Sequence, residues 1–360
     1  MYYKKKLGLI IILLVTCVIS VALVEYGFSF MEDKLLVNNV PTYPKPSDSL
    51  NMVFSSPDNR YVVELKTQPE FFVDGSIVYD VYLTTPEGNK KEVPEKVLMA
   101  SPAEAEAKDY IVWLSKDGFM INGEKLIKTS GEVEDLRPLW GEVKYASSFK
   151  VSPDKTQLAL IGKTSNNDRV IKVIDLNTRQ VIATQIYPFK EPVNTGPLTN
   201  RIAWGLTNTI YYDVDIEGKY RVYHLRSGVP SLLFENAKLI NTSPDGRYLA
   251  VIKGLTKEEQ PFTLIYDLQD KTVKGEISRS RRISWLTDKE FIAVDLSGTS
   301  SQAEVYTIKG EKLLKRDTFN LPEGIFIGAK LEEDAVVLNS VSTSADGKVQ
   351  MIKERRNWKP

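Results

Sequence analysis

Cysteine and histidine are almost missing: Cys17 and His224 are each the only one of their kind in 360 residues. One thiol excludes an intramolecular disulfide and any cysteine-rich metal site, and a single imidazole removes most zinc chemistry. Surplus charge is missing too. Lys plus Arg and Asp plus Glu both total 47, so no overall field draws the chain to nucleic acid. Helical periodicity is scarce, and only Pro102 to Ala107 reads as a helical turn. No Gly-x-Ser-x-Gly elbow occurs, nor a Ser-x-Asp-x-Gly-x-x-Trp box. His224 lies in the alternating stretch Tyr220 to Leu225, where it reads as a strand residue rather than a base. These absences set two expectations: no enzyme activity and no cofactor.

One unusually apolar segment is present at the amino end. Lys4, Lys5 and Lys6 precede an uncharged run from Leu7 to Val24, and Glu25, Glu32 and Asp33 follow it. Its length is at the lower limit for a membrane-crossing helix, and the flanking charges place the lysines inside. The expected layout is a cytoplasmic tail (1–6), a transmembrane anchor (7–24), a tether (25–32) and an extracytoplasmic body. A cleaved signal peptide ending near Ser20-Val21-Ala22 is the alternative reading. Cys17 fits as a small apolar residue within that run.

The body is written in short strands and tight turns. Ser243-Pro244-Asp245-Gly246 leads into Arg247 to Ile252, Ser152-Pro153-Asp154-Lys155 into Gln157 to Ile161, and Ser56-Pro57-Asp58-Asn59 into Arg60 to Val63. Proline pre-sets φ, aspartate bonds its own backbone, and glycine accepts positive φ. The strand after the 243 turn has apolar residues on both faces, as a sheet stacked between two others requires. Alanines 159, 250 and 293 suit close approach of such sheets. Hairpin turns recur about every 45 residues, at Thr85 to Gly88, Asn122-Gly123, Asn177-Thr178, Ser227-Gly228, Gln269-Asp270 and Lys309-Gly310. That period predicts an all-β, seven-bladed β-propeller over 33–356, with six or eight blades as alternatives and 357–360 as a tail. The last unit lacks one strand. Lys34–Val40 is expected to supply it and remove the final open edge.

Ser-Pro-Asp-Gly-x-x-Leu-Ala, followed by Ile265-Tyr266-Asp267-Leu268 and the comparable Val173-Ile174-Asp175-Leu176, resembles the TolB-type (PD40, WD40-like) propeller repeat. Trp204 to Asn208 and Trp285 to Asp288 keep only the position of the turn. Propellers of this kind serve as interaction platforms and as non-catalytic halves of peptidases. The resemblance therefore implies a membrane-anchored binding or scaffolding module of the cell envelope, whose partner is another envelope protein. A ligand-sensing or hydrolytic propeller with a central-channel site is the alternative.

The candidate binding residues sit on two long connections, Lys128–Ser148 and Ile186–Asn200: Arg137, Trp140, Tyr145, Tyr187, Phe189 and Lys190. Aromatics and basic groups on loops over a rigid scaffold form binding surfaces, although the same aromatics could plug the ring's face. Arg279, Arg281 and Arg282 form a basic knot suited to an anionic partner or to a solvated turn. Asp213, Asp215 and Glu217 match the first half of a calcium loop, but His224 stands where the bidentate glutamate belongs, so a plain acidic hairpin is expected.

Overall fold

The computed structural model describes residues 50–360 apart from 74–75, 100–103, 189–200, 217–218, 256–259, 280, 296–301, 344–348 and 359–360. The expected anchor (7–24) and closing strand (34–40) lie outside these residues. Among the described residues no helix is long and apolar enough to cross a membrane.

Seven antiparallel sheets follow one another along the chain. Blade one is β1(Met52–Ser55), β2(Val62–Val73), β3(Ser76–Thr84) and β4(Lys90–Met99). The short helix α1(Glu104–Tyr110) leads to blade two: β5(Ile111–Ser115), β6(Gly118–Ile121), β7(Lys125–Lys128) and β8(Val133–Asp135). Blade three is β9(Tyr145–Val151), β10(Gln157–Lys163), β11(Arg169–Asp175) and β12(Gln180–Tyr187). Blade four is β13(Ile202–Trp204), β14(Ile210–Ile216), β15(Lys219–Arg226) and β16(Val229–Glu235). Blade five is β17(Ala237–Thr242), β18(Tyr248–Lys253), β19(Phe262–Asp267) and β20(Thr272–Ser278). Blade six is β21(Arg281–Trp285), β22(Glu290–Asp295), β23(Gln302–Lys309) and β24(Lys312–Asn320). Blade seven has three described strands, β25(Ile325–Glu332), β26(Ala335–Thr343) and β27(Val349–Asn357).

Each blade is a simple meander, so its connections divide between two faces. The first-to-second and third-to-fourth turns lie on what we term the lower face. The second-to-third turns and the blade-to-blade connections lie on the upper face. The first strands of blades three to seven are successive neighbours around the axis.

Packing follows strand parity. On β18, Tyr248 and Ala250 pack toward blade six while Leu249 and Val251 pack toward blade four. On β10, Ala159 and Ile161 face blade four while Leu158 and Leu160 face blade two. Val349, Val341 and Met351 of blade seven join the cluster of blades one and two, which closes the wheel through side-chain burial. Strands apolar on both faces therefore had nowhere to go but between sheets. At the carboxyl end, Trp358 is buried against blade six, two residues beyond the expected boundary at 356.

The three Ser-Pro-Asp turns are superposable in their bonding. In each, the serine hydroxyl donates to the aspartate Oδ1, at 2.6, 2.6 and 2.5 Å for Ser56, Ser152 and Ser243. The same hydroxyl accepts the N–H of Tyr61, Gln157 or Tyr248 at 3.0, 2.9 and 2.9 Å. The residue after the aspartate has positive φ in all three, 56° at Asn59, 62° at Lys155 and 73° at Gly246. Only at Gly246 does the neighbour demand glycine as well: a Cβ there would lie 2.8 Å from the backbone carbon of Gly205.

These turns belong to blades one, three and five, and the blade after each carries a tryptophan in its first strand. Trp113 Nε1 donates to the Phe54 carbonyl (3.2 Å), Trp204 to the Lys150 carbonyl (3.0 Å), and Trp285 to Asn241 Oδ1 (3.0 Å). A buried indole needs an acceptor, and each finds it on the preceding blade's first strand. The first six blades thus read as three pairs, with blade seven unpaired. What looked like degraded turns at Trp204 and Trp285 are the second members of a two-blade unit.

Candidate binding site

Blade two changes the site expected from the sequence. The hairpin at Asn122-Gly123 joins its second and third strands, not the third and fourth as in the other blades. The stretch read as the long connection Lys128–Ser148 contains the short outer strand β8, a 3-10 turn over Arg137–Trp140 and the start of β9. Val133-Glu134-Asp135 has too little apolar character to announce itself as a strand.

Trp140 is accordingly a plug. Its ring is buried with Leu136, Val143, Leu158 and Leu160 between blades two and three. Lys172, buried on β11, donates to the Trp140 carbonyl at 2.7 Å and to Glu142 at 3.0 Å, which latches the connection down. Arg137 is exposed and forked onto Asp135, whose carboxyl this guanidinium holds well below the usual range. Tyr187 ends β12 and bonds the Tyr212 hydroxyl at 2.7 Å while packing on Tyr223, inside the seam of blades three and four. Tyr145 opens β9. Phe189, Lys190 and Glu217 lie outside the described residues.

The basic knot is likewise dispersed. Arg279 pairs with Asp295 (3.1 Å), Arg281 is buried beside Glu304 (3.3 Å), and Arg282 donates to the Phe326 carbonyl (2.8 Å). Three consecutive-looking cations thus point to three different partners rather than to one ligand. His224 sits on β15 beside Tyr211, its rings 6.2 Å apart. Burial and then Lys271 and Arg226 keep its pKa below the ordinary value.

The polar groups that do converge lie on the upper face of blades four and five. Asp213 and Asp215 share one face of β14, and the β14–β15 pairing is the strand–turn–strand expected. Asp213 is 2% exposed, and its carboxylate accepts the backbone N–H of Arg201 at 2.7 Å and of Leu239 at 3.0 Å. It therefore braces blade five against blade four. Burial pushes its pKa up to about 6, against the pull of those two amides and of the Lys238 and Arg201 cations. Lys238 places its ammonium 4.8 Å from the centre of the Tyr220 ring. The Tyr220 hydroxyl is pushed up to about 12 by burial and by Asp215 and Asp213.

Arg169, at the start of β11, has the parity of the residues that pack in the neighbouring seam of blades three and four. It is 6% exposed, its Nε has no acceptor, and it forms no ion pair among the described residues; its electrostatic neighbours are Asp215, Asp213 and Tyr220. Both oxygens of Asp215 are buried and also lack a hydrogen-bond donor among the described residues. Among the described residues no set of three metal-ligating side chains gathers here or elsewhere. Sequence reading missed Arg169. Its parity with Ile171 and Val173, which face blade four, was the available signal that this arginine is turned into a seam.

No family model and no curated protein matches the chain. Solved structures do. The acylaminoacyl peptidase of Pyrococcus horikoshii matches with a TM-score of 0.50 and 15% identity over 83% of this chain and 50% of that one. The β-propeller domain of the Trilobed protease from Pyrococcus furiosus gives 0.47 and 13% over 85% of this chain and 97% of that one. TolB from Acinetobacter baumannii gives 0.36 and 13% over 82% and 80%. The fold is a seven-bladed β-propeller. Likeness at such identities speaks of fold alone, and peptidase and TolB propellers both stand among the neighbours.

Proposed function

We propose that this propeller is a non-catalytic binding platform that holds another macromolecule on its upper face. The observation that supports this reading is the contrast between a lower face whose Ser-Pro-Asp turns are bonded within themselves and an upper face where, among the described residues, the Nε of Arg169 and both oxygens of Asp215 are left unbonded. Unused hydrogen-bonding capacity at the loop end of a rigid scaffold is what a binding surface supplies. The amino-terminal run 7–24 would tether this platform to a membrane, with the ring on the extracytoplasmic side and an envelope protein as its partner.

A photo-crosslinking residue placed at exposed upper positions, Lys144 and Asn166, should trap the partner in cells. The same residue at exposed lower positions, Glu87 and Lys271, should not. Adducts from the lower set alone, or from neither, would overturn the proposal. Alkaline extraction and external protease treatment of cells test the tether: a ring released by carbonate or shielded from protease contradicts it.

A further inference from the structure

The outer strand of a blade is a sheet edge, and an unpaired edge invites another strand unless charge or proline blunts it. Six of the seven outermost described strands are blunted in this way: Pro94 stands in β4, Asp135 in β8, Pro230 in β16, Glu276 in β20, Lys315 in β24 and Lys353 in β27. β12 is the exception. Its eight residues, Gln-Val-Ile-Ala-Thr-Gln-Ile-Tyr, hold no charge and no proline, and among the described residues only β11 pairs with it. Val, Ile, Thr and Tyr in such a run favour an extended chain.

The side chains at that edge are apolar where water meets them. Val181 and Ile186 lie opposite Ile174 and Val170, so they share the flank of blade three that faces blade two. β8 is three residues long against the eight of β12 and leaves much of that flank bare. Ile186 is 54% exposed, and Val181 and the bulged Ile182 are exposed as well. On the other flank, Gln185 Nε2 donates to the Gly228 carbonyl at 2.9 Å, which brings β16 alongside with its exposed Val229 and Leu232. Five of the eleven large apolar side chains exposed among the described residues thus gather on two neighbouring outer strands. Apolar residues scattered singly need no explanation, but a group around an unblunted edge does.

What fits such an edge is narrow. A charged segment would bury its charge against Val181 and Ile186 without a partner. The edge calls for an uncharged, β-forming strand with an open side of its own, and the molecule offers one: β12 of a second copy. We propose that two copies of the chain associate about a two-fold axis by antiparallel pairing of β12 with β12, which joins their third blades into one eight-stranded sheet. Charge selects this strand over its neighbours. The same arrangement at β24 would set Lys315 and Arg316, at the strand's middle, against their own copies, whereas β12 meets itself without repulsion. Self-pairing is isologous and consumes both edges, so it stops at the dimer. The interface lies on the outer wall of the ring and is independent of the upper-face platform.

Thr184, exposed at the middle of β12, lies nearest the axis and carries the test. Sedimentation velocity of the full chain in non-ionic detergent should give twice the mass of one chain. Thr184→Lys and Thr184→Asp should each weaken self-association at least about tenfold, because like charges then meet across the pair. An equimolar mixture of the two variants should recover the dimer, a result that requires both to be folded and β12 to face β12. Thr184→Cys reads the same contact without a charge. In a Cys17→Ser background, which removes the only other thiol, it should give an oxidant-induced disulfide dimer in cells, and Glu276→Cys on β20 should not. An unaltered chain that stays monomeric, a dimer indifferent to both charges, or a mixture that fails to reassociate would overturn the proposal. A Thr184→Cys adduct with a different protein would overturn it too and give the edge to another strand.

Discussion

The two faces of the ring handle polar groups in opposite ways. On the lower face, Arg247 reaches from the blade-five turn to Asp267 at 2.8 Å and to Asp270 at 2.9 Å, and Lys274 bonds Glu311 of the next blade at 3.0 Å. Asp267 is wholly buried and also receives the backbone N–H groups of Gln269 and Asp270 at 3.0 and 3.1 Å. Both Asp267 oxygens have work within the fold. On the upper face, the Nε of Arg169 and both oxygens of Asp215 are buried with no hydrogen-bond partner among the described residues. The difference teaches where stability is kept and where it has been given up, because unpaired buried charge persists only against a stability cost.

That comparison can be broken from several sides. The largest effect belongs to the lower face. Asp267→Ala leaves Arg247 and Lys274 short of their shared anion and should lower unfolding free energy by about 3–5 kcal/mol in urea titration. A change below about 1 kcal/mol would mean that the network is decorative.

Next comes pH, on which the faces should carry opposite slopes. The Asp213 carboxyl sits at about 6, above its ordinary 3.8, so the native state holds its proton longer than the unfolded chain does. Stability therefore falls as pH rises from about 4 to about 6, by roughly 3 kcal/mol from this group, and Asp213→Asn should remove that fall. On the lower face, burial opposes ionisation of Asp154, but hydrogen bonds from Ser152, Asn208 and Thr156 hold it at about 2. Its contribution is complete above about 4 and is lost as pH drops toward 2. Urea midpoints measured across pH 2–8 in the unaltered protein and in Asp213→Asn separate the windows.

Smaller again is the turn comparison. Gly246→Ala places a Cβ against the Gly205 backbone at positive φ and should cost about 2 kcal/mol. Lys155→Ala, at the equivalent position, should change stability by less than about 0.5 kcal/mol, since a side chain is already tolerated there. The smallest effect is expected at the upper site. Asp215→Asn should leave stability unchanged or raise it by up to about 1 kcal/mol, because it removes a buried, unpartnered charge. A clear loss in thermal melting would show that Asp215 is a structural anchor after all.

Much of the architecture was readable because it is local. Ser56, Ser152 and Ser243 bond residues within five positions of themselves, so letters four or five apart specify each turn. Hairpins at Asn177 and Ser227 are set the same way. Misreading began where local signal fades: β8 is three residues long and mostly acidic, so its blade seemed one strand short and its neighbour one loop too long. For the same reason the sequence leaves Trp140 open between a binding aromatic and a plug. Once β8 is placed, the chain has only a short path to blade three, and the indole lies in the seam.

By itself, then, the sequence determined the repeating unit: turn chemistry and strand alternation act over a few residues and survive in any context. Only the tertiary structure decided how the units combine. The indole-to-blade bonds of Trp113, Trp204 and Trp285 span 59, 54 and 44 positions. The meeting of Arg201, Asp213, Tyr220 and Lys238 exists only because two separate sheets bring their upper ends together around one axis. Short-range bonding fixes each blade, whereas the meeting of distant charges is a property of the closed ring.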